Sequence, residues 1–174
     1  KVLVDNILSS SIYYQKIENL SVQEEIRLAY ELSEQIDLPY QKLYQVNLKE
    51  FFMREYPEKT NSKITEEEWE DLTNRKLTSS EIEKRKMDRI TEEDLSIYTE
   101  KNRRAAYLYY LMNKGYSYQD KLIKKDATSE EIAYLSEHLE SYPGFFIKQS
   151  WERVYPYQDT FRTILGTVSN EGGI

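Results

Sequence analysis

Apolar positions along the chain recur mostly at helical spacing, and several such stretches are preceded by a short polar residue with an acidic residue three places on. In that arrangement the polar side chain accepts from the N–H of the third residue, while the acidic side chain there accepts from the cap N–H. Ser21 with Glu24, Asn47 with Glu50, Thr65 with Glu68, Thr91 with Asp94 and Thr128 with Glu131 fit it, predicting five helix starts. The first helix is expected to bury Val22, Ile26, Ala29 and Ile36, with Leu28 and Leu32 beside them, and to stop before Pro39, because the residue before a proline is steered out of the helical region. Asn47 opens a short helix through Phe51 and Phe52 that ends before Pro57. Thr91 to Asn113 reads as the longest, central helix, with Leu95, Tyr98, Ala105, Leu108 and Met112 on one face. Gly115 is placed for the left-handed conformation that closes it.

Strand-forming residues gather at the two ends. Val2 to Val4, Ile12 to Ile17, Phe145 to Ile147 and Trp151 to Tyr155 carry the β-branched and aromatic content of short strands. Asp159 can cap a last helix, Thr160 to Leu165, stopped by Gly166. Pairing the terminal strands gives an α+β fold: a small, mainly antiparallel sheet from N- and C-terminal strands with a large helical excursion between them. Residues 1–18 and 143–174 would form a β-rich base and residues 19–142 a helical subdomain, within one domain of residues 1–174.

Composition narrows the function. The 174 residues hold 24 Lys plus Arg against 31 Asp plus Glu, a net charge of −7, which argues against nucleic acid as a partner because phosphate binding needs clustered positive charge. No apolar run approaches the roughly 18 to 20 residues that span a bilayer, and no signal-peptide pattern opens the chain. Starting at Lys1 without Met and stopping at Gly172, Gly173 and Ile174, it is expected to be an excised piece. With no Cys, disulfides, thiol catalysis and thiolate metal sites are excluded.

The chemical candidates each have a plainer reading. His138 is the single histidine, with no second one for a metal pair or a nucleophile dyad, and reads as a surface residue. The acidic run from Glu66 to Asp71, broken only by Trp69, lacks the spaced ligands and central glycine of a calcium loop and suits the positive end of a helix dipole. Sixteen Tyr and two Trp suggest a glycan-binding face, but Tyr also fills cores with its hydroxyl directed to a polar partner, and that reading is preferred. Lys84, Arg85, Lys86 and Arg89 follow Glu81 and Glu83 and read as a solvated helix face. No nucleophile elbow, phosphate-cradling glycine loop or zinc-protease helix is present, so neither a metal nor a cofactor is expected.

Residues Gly144 to Gly166 resemble a landmark of class B penicillin-binding proteins, in which a strand bearing Arg-x-Tyr-Pro leads to a short helix and a Gly-x-Val ending. Arg153, Tyr155, Pro156, Leu165, Gly166 and Val168 match it, and Asp159 falls at the expected helix cap. The opening residues Lys1 to Asn6 are similar to the segment after another element of that family, in the same order and direction. Gln158 departs from the glycine usual there, which puts the local turn in question. The resemblance implies a non-catalytic dimerisation or pedestal domain. The Ser-x-x-Lys, Ser-x-Asn and Lys-Thr-Gly motifs of the enzymatic half are missing: three positions after Ser150 stands Arg153, and Lys59-Thr60 is followed by Asn61.

By the same resemblance, the parent protein is a serine-type D,D-transpeptidase of cell-wall synthesis outside the cytoplasmic membrane. An N-terminal helix absent from this chain would anchor it, and the Lys, Ile, Tyr and Asn usage points to a Gram-positive source. Implied partners are the transpeptidase domain of the same chain, divisome or elongasome membrane proteins, and a second copy of the domain. Arg153 is expected to clamp two chain segments through an ion pair or carbonyls beside Tyr155 and Pro156. The alternative is a free-standing helical protein–protein interaction module.

Overall fold

The structure, a computed structural model, describes residues 5–154. Caps fix where most helices begin. Reciprocal Ser/Thr–acid boxes start α1 (Val22–Ser33), α4 (Glu66–Thr73), α6 (Glu92–Leu95) and α8 (Ser129–Glu137), at Ser21, Thr65, Thr91 and Thr128 as expected. A further box, Thr78 with Glu81, opens α5 (Ser79–Arg89) ahead of the basic cluster and was not anticipated.

Two helices differ from the sequence reading. Asn47 is not a cap: α2 runs Gln45–Glu55 from Tyr44, whose side chain makes no capping bond, so Asn47 lies within its first turn. The helix ends before Pro57, and that proline, lacking an N–H to satisfy, then occupies the first turn of α3 (Pro57–Asn61). The expected helix from Thr91 to Asn113 is two helices. After α6 the chain turns through Tyr98, whose N–H donates to Leu95 O, and restarts as α7 (Glu100–Asn113), where the Asn102 side chain accepts from the Thr99 N–H at 2.9 Å. The break leaves the apolar face intact: Leu95, Tyr98, Ala105, Leu108 and Met112 are all buried. Gly115 does take positive φ, one residue beyond the Lys114 cap.

The sheet has three antiparallel strands in the order β2–β1–β3: β1 (Asp5–Tyr14), β2 (Lys121–Lys124) and β3 (Phe145–Val154). The first and last segments of the described chain therefore pair, over ten register positions from Asp5↔Val154 to Tyr14↔Phe145. Phe145 to Ile147 and Trp151 belong to one continuous strand rather than two, and Ile12 to Ile17 ends as strand at Tyr14. The expected strand at Val2 to Val4 lies outside the described residues. β2 comes from within the helical excursion and was not expected.

Helix α7 is the hub. It packs on α1, α2 and β2, with Ala105, Ala106, Leu108 and Met112 fully buried against Leu28, Ala29 and Leu32 of α1 and Phe51 of α2. The small side chains of Ala105 and Ala106 are buried in this contact, and aromatic rings fill the space around Phe51 of α2. Phe51 lies 5.4 Å from Tyr109, 5.9 Å from Tyr98 and 6.0 Å from Tyr30, centroid to centroid. Core filling thus accounts for much of the tyrosine count. Two expected core positions differ: Val22 is exposed, and Ile36 is buried but lies beyond the end of α1.

Candidate functional site

Four polar ties hold the helical elements and sheet in register. Tyr14 Oη donates to Glu25 Oε1 at 3.1 Å, and Lys16 lies 3.3 Å from the same carboxylate while donating to Asn113 Oδ1 at 2.8 Å. Glu25 is fully buried, so its charge is tolerable only because these partners compensate for lost water. Burial, reinforced by the Glu25 charge, pushes the Tyr14 hydroxyl well above the usual tyrosine range. Burial likewise lifts Tyr109 to about 12.

Glu131 makes the second tie, joining three segments. It accepts from the Asp37 N–H at 2.7 Å, Lys124 Nζ at 2.6 Å and the Thr128 N–H at 2.9 Å. Burial opposes ionisation of this carboxyl, but the bonds from Lys124, Asp37 and Thr128 outweigh it and hold its pKa below the ordinary value. In the third tie, Tyr30 and Tyr98 donate to the two oxygens of Glu55 at 2.7 and 2.5 Å, and Asn102 donates to Tyr30.

The fourth adds to the reading of the basic cluster as a solvated face: Lys84 and Arg89 are exposed, yet two arginines of the cluster converge on one carboxylate. Arg89 takes both oxygens of Glu68 in a two-pronged grip at 2.6 and 2.7 Å, and Arg85 adds a bond at 2.5 Å. The Arg89 guanidinium, the Thr65 N–H and Arg85 hold the Glu68 carboxyl far below the usual carboxylate range. Glu68 thus serves as both cap and clamp, joining α4 to α5. A cap acid and two arginines 17 and 21 residues later carried no sequence signal of their convergence.

His138 caps the end of α8, where its ring stacks on Tyr134 at 4.4 Å and its Nδ1 bonds the Tyr134 carbonyl. Among the described residues, no cluster of three or more His, Asp or Glu side chains is placed to hold a metal, and no helix is long and apolar enough to cross a membrane.

What the architecture does single out is the end of the sheet where the chain enters and leaves. Ile12 with Ile147 and Tyr14 with Phe145 form the core-facing row of β1 and β3. Side chains two residues apart share a face, so that row continues through Ser10 with Gln149 to Leu8 with Trp151, which are 48% and 67% exposed. A groove of about 620 Å³ lies beside this row, lined by Leu8, Ser10, Gln149, Ile132 and Ala133 among others. Of the residues marked by sequence, Arg153 sits on β3 opposite Asn6, two rungs beyond Trp151. Tyr155, Pro156, Asp159 and Gly166 lie outside the described residues.

Known proteins share this arrangement. A family model described as the penicillin-binding protein dimerisation domain matches residues 1–172. Penicillin-binding protein 2A of Bacillus subtilis (strain 168) is 28% identical over 173 residues, covering 98% of this chain and 24% of that protein. Penicillin-binding protein H of the same organism is 24% identical over 200 residues, covering 97% of this chain and 27% of its own length. The solved structure of penicillin-binding protein 2B from Streptococcus pneumoniae (strain 5204) shares the fold with a TM-score of 0.71 at 20% identity, covering 98% of this chain and 26% of that one. The chain therefore spans about a quarter of the length of the relatives it matches. With one family model covering nearly every residue, and helices rooted in a sheet closed by the two ends, this chain belongs to the penicillin-binding protein dimerisation domain family.

Proposed function

We propose that this chain is the non-catalytic pedestal of a membrane-anchored peptidoglycan D,D-transpeptidase, set between the anchor and the catalytic half outside the cytoplasmic membrane. The observation that carries the reading is the pairing of Asp5 with Val154. Chain arriving from one neighbour and chain departing to the next meet at a single end of the sheet, while the α1–α8 body lies between them in sequence. A rigid part joined at one root suits holding an enzyme at a set distance and offering side surfaces to partner membrane proteins or a second copy.

In this reading Arg153 locks the departing strand to a neighbouring segment ahead of Tyr155 and Pro156, and Asp159 and Gly166 begin and end the helix that follows. Replacing Arg153 with Ala should lower the melting temperature, and an unchanged melt removes that role. The function is tested in the parent reading frame, which should hold Ser-x-x-Lys, Ser-x-Asn and Lys-Thr-Gly in order after Ile174. A fluorescent penicillin should label the parent protein and leave this chain unlabelled. A frame without those motifs would instead favour a free-standing interaction module.

A further inference from the structure

Two tyrosines take no part in the core. Tyr116 and Tyr118, on the loop between α7 and β2, are 65% and 76% exposed and lie nearly parallel, ring centroids 5.8 Å apart at 18°. Two adjoining hollows of about 540 and 310 Å³ begin there and share Lys16 and Ser117. Tyr118, Gln15 and Glu18 line the outer one, and Asn113 and Lys121 help line the inner one.

The loop is held in shape. Gly115 turns it at φ +73°, the Gln119 N–H donates to Tyr116 O, and Lys121 Nζ donates to that same carbonyl. Tyr118, with Tyr116 stacked on it, therefore presents an exposed apolar ring at the edge of a trough lined by both donors and acceptors. An exposed aromatic face beside mixed donors and acceptors suits a sugar, whose C–H face stacks on a ring while each hydroxyl both donates and accepts.

Charge narrows the ligand further. Lys16 is neutralised from below by Glu25, and Arg54, on the far wall with Glu50, pairs with Glu83. Lys121 differs. It is 5% exposed, lines the inner hollow, and among the described residues its ammonium bonds only the neutral Tyr116 carbonyl. An ammonium has three donors, and a buried one with donors to spare favours an anionic group.

We propose that this trough binds a carboxylate-bearing glycan, with Tyr116 and Tyr118 stacking on sugar rings and Lys121 receiving the carboxylate. Resting on the cell-wall reading above, the ligand is a peptidoglycan strand that carries its peptide stems. The domain would then hold the polymer as well as support the enzyme that cross-links it.

The test is a ¹⁵N chemical-shift titration of the 174-residue chain with soluble peptidoglycan fragments bearing stems. Stem-free fragments, tetra-N-acetylglucosamine and an oligogalacturonate serve as comparators. Shifts are expected at Lys16, Ser117, Tyr118 and Lys121, with stem-bearing fragments binding tightest. The Y116A/Y118A double variant, altered only at exposed rings, should bind about tenfold more weakly with an unchanged melt. Absence of binding, shifts confined to another face, or full affinity in Y116A/Y118A would overturn the site. Equal affinity for oligogalacturonate would overturn the assignment to peptide stems. Penicillin labelling of the parent protein reads the cell-wall function independently, so failure of the trough and failure of that function are separable.

Discussion

Replacing Glu131 with Ala tests the claim that a single carboxylate ties three distant segments together. The substitution removes the acid's half of the α8 capping box, leaving the Thr128 N–H and the Asp37 N–H without their acceptor. Thr128 still caps through the backbone N–H of residue 131, and a donor left unsatisfied costs about 1 to 3 kcal/mol. Lys124, largely buried beside Glu131, loses its counter-charge but keeps its bond to the Asp37 carbonyl at 2.7 Å. That surviving bond places the total nearer the lower end of the roughly 3 to 5 kcal/mol seen when one partner of a buried pair is removed. For a chain of this length, about 3 kcal/mol lowers the melting temperature by roughly 10 °C. Urea unfolding followed by far-ultraviolet circular dichroism measures it, with a constant m-value showing that the folded state is otherwise unchanged. The K124M/E131M double variant should recover part of the loss, because no charge is then left unpaired. A loss below about 1 kcal/mol for E131A would refute the reasoning, since one buried N–H left without its acceptor accounts for that much.

Other outcomes follow from the same contacts. Glu68, Glu131 and Asp94 have pKa values depressed by their partners, so stability should be level above pH about 5 and fall as pH drops below the unfolded carboxylate values near 4. E68Q should flatten the acid side of a melting-temperature profile, and an identical slope would remove Glu68 from that role. Gly144 and Gly115 both have positive φ, but a Cβ on Gly144 would meet Gln15 O at 2.6 Å and the Tyr14 ring at 2.7 Å, whereas on Gly115 it finds ordinary contact distances. G144A should therefore destabilise by more than about 2 kcal/mol and G115A by about 1, in chemical denaturation, and equal losses would contradict this. F51A removes the ring shared by Tyr30, Tyr98 and Tyr109 and should cost about 3 to 5 kcal/mol; a loss below about 1.5 would show that the cluster collapses around the gap.

Helix starts were readable in the sequence because a capping box is a contract between residues three apart, complete within one turn. Ser21, Thr65, Thr91 and Thr128 needed nothing from elsewhere. Asn47 satisfied the letters of the pattern, but burial of Leu48, Phe51 and Phe52 suits a helix already begun at Gln45. The break before α7 was hidden because Leu95 and Tyr98 keep the apolar spacing across it, and Tyr98 answers to Glu55, 43 residues earlier. β2 escaped notice since Lys121 to Lys124 is short and charged at both ends, and becomes strand only where β1 offers an edge. The α+β layout was legible because strand-forming residues gather at both ends. The clamp on Glu68 and the trough beneath Tyr118 were not, as each depends on residues brought together by tertiary packing.

The ladder between β1 and β3 has a mechanical consequence. Because Asp5 and Val154 sit side by side at its open end, a pull separating the two flanking segments falls on one pair of rungs at a time instead of sliding ten together. The sheet would give way like a zip, from Asp5 toward Tyr14. Such a pull would first loosen the Leu8–Trp151 end and spare the helices, making this end of the sheet the compliant part of the fold.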